Sequence, residues 1–121
     1  MEEPKILTIS QSREVKEGEK ATFICEVQGY PMPTVNWYFI RPGRPHDSQI
    51  LPGDAKEVSV SLRGGPQVTR LTSHLQITEF SLKQEGEYRC TAENDLGMAT
   101  KSLSVIMSTL DDGPLFNGGK P

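Results

Sequence analysis

Apolar and polar residues alternate with a period of two along most of this chain, the pattern of β-strands that bury one face. A first edge strand is expected over Lys5–Ser10, with Arg13–Lys16 as its continuation and Glu17-Gly18-Glu19 as a turn. Ala21, Phe23, Cys25 and Val27 then point inward, between Thr22, Ile24, Glu26 and Gln28 pointing outward. Gly29-Tyr30-Pro31-Met32-Pro33 breaks that strand, because its prolines cannot donate to a central ladder. Val35, Trp37 and Phe39 are the inward set of the next strand, and Asn36, Tyr38 and Ile40 its outward set.

Arg41-Pro42-Gly43-Arg44-Pro45 reads as a loop, Gln49-Ile50-Leu51 as a short edge strand and Pro52-Gly53-Asp54 as a turn. Val58, Val60 and Leu62 alternate again, Gly64-Gly65-Pro66 turns the chain, and Leu71, Ser73, Leu75 and Ile77 return inward. Ser81–Glu85 forms a crossover with one helical turn. Tyr88, Cys90 and Ala92 lead to a hairpin at Asn94-Asp95-Leu96-Gly97, and a last strand runs from Met98 to about Met107, burying Leu103 and Val105. Eight or nine short strands at this spacing imply an all-β sandwich or barrel. The periodicity stops there, and residues 108–121 are expected to be a flexible linker in which Leu115 and Phe116 form an isolated apolar pair.

Composition narrows the function more than the fold. A chain of 121 residues fits one domain, and 11 Gly and 9 Pro favour turns over long helices. Thirteen basic and sixteen acidic residues give a net charge of −3, and the basic ones lie beside acids, as in Arg13-Glu14 and Glu19-Lys20. A nucleic-acid binder needs a clustered positive excess, so none is expected as a partner. No run approaches the roughly 20 apolar residues of a membrane helix, so no membrane insertion is expected. Met1-Glu2-Glu3-Pro4 lacks the basic, then apolar, character of a secretory leader. That leaves a domain taken from a longer protein or a module of an intracellular one.

Four residues fix the architecture. Cys25 and Cys90 occupy inward positions on strands far apart in sequence, where a bridge between facing sheets would lie. Trp37 follows the first of them on the neighbouring strand, where its indole can pack on such a bridge. Tyr88 precedes the second by two, the position at which a tyrosine hydroxyl bonds back to the backbone at a corner between sheets. The set Cys25, Trp37, Leu75-x-Ile77, Glu85-Gly86-x-Tyr88-x-Cys90-x-Ala92-x-Asn94-x-x-Gly97 resembles the intermediate-set immunoglobulin domain over residues 4–107. The resemblance implies an immunoglobulin-like Greek-key β-sandwich (I-set) with one inter-sheet disulfide, Cys25 to Cys90. Glu85 departs from the aspartate usual in that family, and Arg63 is a candidate partner for its longer carboxylate.

A narrower resemblance covers the middle. Leu51-Pro52-Gly53-Asp54, Val58-Ser59-Val60 and Arg63-Gly64-Gly65-Pro66 are similar to the C-terminal immunoglobulin module of secreted proteins related to insulin-like growth factor-binding proteins. Cys25-Glu26-Val27, Tyr30-Pro31-Met32 and Arg63-Gly64-Gly65-Pro66-Gln67 are most like the Kazal-domain-containing members of that group. In those proteins the hormone-binding signature and the protease-inhibitor-like segment lie in cysteine-dense domains. With two cysteines this chain contains neither, so growth-factor binding is expected from domains outside it.

Catalytic chemistry finds no support. The two histidines are separate, His46 in a Pro/Gly loop and His74 on an outward strand position, whereas a metal site needs three or four convergent ligands. Both cysteines are better explained as a bridge than as nucleophiles. Asp111-Asp112 lies in the tail, and Gly64-Gly65 precedes proline rather than a helix that could cradle phosphate. No catalytic residue, metal or cofactor is expected. Asn36, Asn94 and Asn117 are not followed by a glycan acceptor pattern.

Three surfaces remain as candidates for a protein partner. Tyr30 and Met32 on one loop, and Leu96 and Met98 on the last hairpin, should share one end of the sandwich; Tyr30 and Leu96 could instead simply cap the core. Tyr38, Ile40, Arg89 and Thr91 on the outer face of the Trp37 sheet suit self-association. Arg41, Arg44, His46 and Lys56 form a basic patch for sulfated glycans, interrupted by Asp47, Asp54 and Glu57, and rank last. The expected role is a non-catalytic, extracellular, protein-binding or homophilic module. The alternatives are a structural domain of the cytoplasmic cytoskeleton and a module of an adhesion receptor.

Overall fold

The alternation resolves into two sheets that face each other in a computed structural model, which describes residues 2–43, 48–51, 57–64 and 69–108. The first sheet has four strands, β1 (Glu2–Ile9), β3 (Ala21–Tyr30), β7 (Arg70–Ile77) and β6 (Val58–Gly64), in that spatial order. The second has five, β2 (Arg13–Lys16), β9 (Gly97–Ser108), β8 (Gly86–Asn94), β4 (Thr34–Ile40) and β5 (Ser48–Ile50). All pairings are antiparallel except β2 with β9. One 3-10 turn, Leu82–Gln84, stands in the crossover before β8.

Arg13–Lys16 is therefore not a continuation of the first strand within one sheet. β1 pairs with β3, and the chain then crosses to the edge of the opposite sheet. Serine makes that crossing possible. The Ser10 hydroxyl accepts the Ile24 amide at 2.8 Å, and the Ser12 hydroxyl accepts the Ser104 amide at 2.8 Å. Each side chain replaces a ladder carbonyl where the backbone has turned away, so the amides stay paired through the kink. β3 also runs further than the Gly29 signal suggests, because Gly29 N–H still donates to Thr69 O at 2.9 Å.

The inner faces form one core in which Phe23, Trp37, Leu75, Ile77, Tyr88 and Val105 are fully enclosed. Cys25 on β3 and Cys90 on β8 are bonded across the two sheets, with Cα atoms 6.6 Å apart. Trp37 stands opposite Cys90 in the β4–β8 register. Its indole N–H, which could not be buried without a partner, donates to the buried Ser73 hydroxyl on the opposite sheet at 2.9 Å. Tyr88 donates its hydroxyl to Gln84 O at 2.6 Å, which closes the corner anticipated for it. Gln84 is itself pinned: its side-chain oxygen accepts the Ser81 amide at 2.7 Å and its amide donates to Glu57 at 2.8 Å. Glu85 does not pair with Arg63. Its carboxylate accepts the Met107 amide at 2.9 Å, tying the crossover to β9. Burial fades along β6 from Val58 to the exposed Leu62, as fits an edge strand bonded on one side only.

Several expectations fall outside the described residues: the Pro52-Gly53-Asp54 and Gly65-Pro66 turns, Arg44, His46 and Lys56 of the basic patch, and the tail from residue 109 with Leu115 and Phe116.

Candidate functional site

The end of the sandwich where β3 passes into β4 is built from inward glycine and proline and outward large side chains. A Cβ on Gly29 would lie 2.9 Å from Pro33 Cγ and 3.2 Å from Pro4 Cα, so the two prolines close the core only because position 29 has no side chain. The residues between alternate the other way, and Tyr30, Pro31 and Met32 are pushed into solvent. The hairpin joining β8 to β9 meets this loop through Asn94. Its side-chain NH2 donates to Glu2 O at 2.9 Å and Pro31 O at 3.0 Å, while its oxygen accepts the Leu96 amide at 2.8 Å. One asparagine thus holds the start of β1, the Tyr30–Met32 loop and the hairpin together. The sequence places Asn94 in the hairpin turn and in the family motif, but nothing in the one-dimensional pattern shows that its NH2 reaches two other segments.

Tyr30, Met32, Leu96 and Met98 are 49, 42, 39 and 63% exposed. Tyr30 leaves on the outer side of the four-stranded sheet, next in sequence to the inward Gly29. Met98, paired with Glu93, leaves on the outer side of the five-stranded one. Met32 and Leu96 lie on the loops between. The result is an apolar ridge across the end of the molecule, held at Asn94.

The outer face of the five-stranded sheet is flatter. Arg89 pairs in register with Tyr38 and Ser102, Tyr38 with Ile50, and Thr91 with Asn36 and Thr100. Arg89 is held by Glu87 at 3.0 Å, an exposed ion pair that fixes orientation more than it stabilises. Ile50, which the pattern gave only as an edge residue, is exposed beside Tyr38 and extends this face. Ile40 does not belong to it. It is 6% exposed, because it ends β4 where the chain turns at Pro42 back towards Gly86. There it lines a groove of about 550 Å³ with Arg41, Pro42, Glu85, Glu87 and Ile106. Burial raises the pKa of the Tyr88 phenol well above its ordinary value, and that group is structural. His74 sits on β7 between Ile24 and Ser61 of the neighbouring strands.

A two-sheet sandwich with an inter-sheet disulfide, a tryptophan opposite it and a tyrosine corner defines an immunoglobulin domain. The profile of the Immunoglobulin I-set domain matches residues 4–107, and the chain belongs to that family. It is 39% identical over 108 residues to the Kazal-type serine protease inhibitor domain-containing protein 1 of Mus musculus, covering 88% of this chain and 33% of that protein. It is 32% identical over 105 residues to the insulin-like growth factor-binding protein-related protein 1 of Cupiennius salei, covering 86% and 39%. The chain thus spans about a third of the length of the curated relatives it matches. Among solved structures, that of Dpr2 Ig1-Ig2 in complex with DIP-Theta Ig1-Ig3 aligns with a TM-score of 0.70 at 20% identity, over 88% of this chain and 32% of that one. At that identity the likeness concerns the fold alone.

Proposed function

We propose that this chain is a non-catalytic, protein-binding immunoglobulin module of a secreted multidomain protein related to insulin-like growth factor-binding proteins. The observation that carries this reading is the ridge of Tyr30, Met32, Leu96 and Met98. These large apolar side chains stay in water on strand ends and loops that the Asn94 hydrogen bonds join. Met and Tyr are enriched at interface centres, and a rigid tip loses little entropy when a partner docks. The outer face around Tyr38, Ile50, Arg89 and Thr91 serves a second contact of the same kind, self-association. Binding of growth factors belongs to other domains of such proteins. Secretion is supported by the relatives and by the bonded Cys25–Cys90 pair, which an oxidising compartment favours.

The test expresses the full natural protein in animal cells. The expected result is protein in the medium whose Cys25- and Cys90-containing peptides are linked and gain the mass of two hydrogens on reduction. Retention in the cytosol with both thiols free would overturn the secreted assignment. Sedimentation across a range of concentrations then reports self-association, which Tyr38→Ala should weaken without lowering the melting temperature.

A further inference from the structure

The ridge is not electrostatically neutral. Glu2 and Glu3 open β1, Glu93 is the last residue but one of β8 and Asp95 sits in the hairpin, and all four are exposed. Glu2 lies across from Tyr30, and Glu93 between Thr34 and Met98. Asp95 adjoins Leu96 in sequence, and the Glu3 carboxylate covers Gly97, where a Cβ would sit 3.1 Å from its oxygen. Residues 2–4, 28–36 and 93–100 contain no Lys, Arg or His. Lys5 and Arg70, which opens β7, both stand in register with Gln28, next to the Glu2–Tyr30 pair, so the acidic surplus lies on the Glu3, Glu93 and Asp95 side; Lys101 is set further down β9. None of the four acids has a cationic partner among the described residues. Four carboxylates against Lys5 and Arg70 leave this end net negative among the described residues.

We propose that this end docks a cationic segment of another protein, one that offers an apolar side chain flanked by Lys or Arg. The inference rests on the protein-binding reading and adds the chemistry of the partner. The apolar ridge supplies a surface that is released from water on contact, and its two methionines adapt to the shape of the incoming side chain. The carboxylate rim supplies selection: it steers cationic partners in and penalises anionic ones. The same rim excludes two other occupants. A second copy docking end to end would bring like charges together, which leaves self-association to the Tyr38 face. An anionic lipid surface would be repelled. Among the described residues no three acidic, His or Cys side chains are grouped to hold a metal ion, so the carboxylates act through their field.

The experiment follows backbone amides of the 15N-labelled chain by NMR during titration with two synthetic peptides. One is a short peptide alternating Lys or Arg with Leu and Trp; the other carries Glu at every basic position. The cationic peptide is expected to move the amides of Tyr30, Met32 and Glu93–Met98, and to bind more weakly as salt rises. The acidic peptide should leave them in place. The double variant Glu93→Lys, Asp95→Lys, at exposed hairpin positions, should weaken the cationic peptide about tenfold while keeping the parent melting temperature. Leu96→Ala should weaken it at unchanged charge. Equal binding of both peptides at this end would overturn the charge selection and leave the protein-binding reading standing. Shifts confined to the Tyr38 face or to the Pro42 groove, or none at the ridge, would overturn the docking site itself. The secretion and self-association measurements above judge the broader reading independently.

Discussion

Ser73 is a small polar residue at an inward position of β7, and its hydroxyl accepts the N–H of the buried Trp37 indole. Ser73→Ala should therefore cost about 1–3 kcal/mol, the penalty of leaving a buried N–H unpaired, measured by urea denaturation. Tyr88 makes the complementary case. Tyr88→Phe removes one hydroxyl bond to Gln84 O and should cost about 1 kcal/mol at neutral pH. Its pH dependence has a definite sign. Burial raises the folded-state pKa, so above the unfolded value of about 10 the unfolded chain releases the proton first, and stability falls as pH rises. Denaturation at about pH 9 and about pH 11 should show that part of the loss in the parent and not in the Phe variant. Both positions were visible as inward residues in the sequence. The Trp37–Ser73 bond was not, because it joins strands of opposite sheets.

At the scale of elements, the crossover into β8 depends on contacts too close for any side chain at Gly86. A Cβ there would meet Ile40 O at 2.6 Å and Phe39 Cε1 at 2.8 Å, while one on Gly64 would meet nothing within 4 Å. Gly86→Ala should destabilise by about 1–3 kcal/mol through backbone displacement, and Gly64→Ala should be near neutral, a contrast read from paired thermal melts. Strand identity was legible because period two survives any tertiary context. Where strands change sheet was not: Ile9 and Arg13 look like one interrupted strand until the Ser10 and Ser12 hydroxyls are seen to replace ladder carbonyls. Ile40 shows the same limit. Its outward parity follows from sequence, but its burial comes from the turn that brings Pro42 towards Gly86.

For the molecule as a whole, the Cys25–Cys90 bond closes a loop with a sequence separation of 65. Reduction should lower unfolding free energy by about 4 kcal/mol in the chain-entropy account, seen as a lower urea midpoint with reductant than without. The candidate sites divide in the same way as the fold. Tyr30, Met32, Leu96 and Met98 could be named from sequence, because exposed apolar residues at turns break the expected pattern. Their union into one ridge could not, since Asn94 reaches across 92 positions to Glu2 and 63 to Pro31. The sequence by itself determined the strands, the bridge-tryptophan-tyrosine core and the family, because each depends on local periodicity and on residue types with few uses. Tertiary structure alone decided the sheet switch after β1, the partner of the Trp37 indole and the joining of an acidic rim to an apolar end. Those are set by packing between segments remote in the chain, which a linear pattern does not encode.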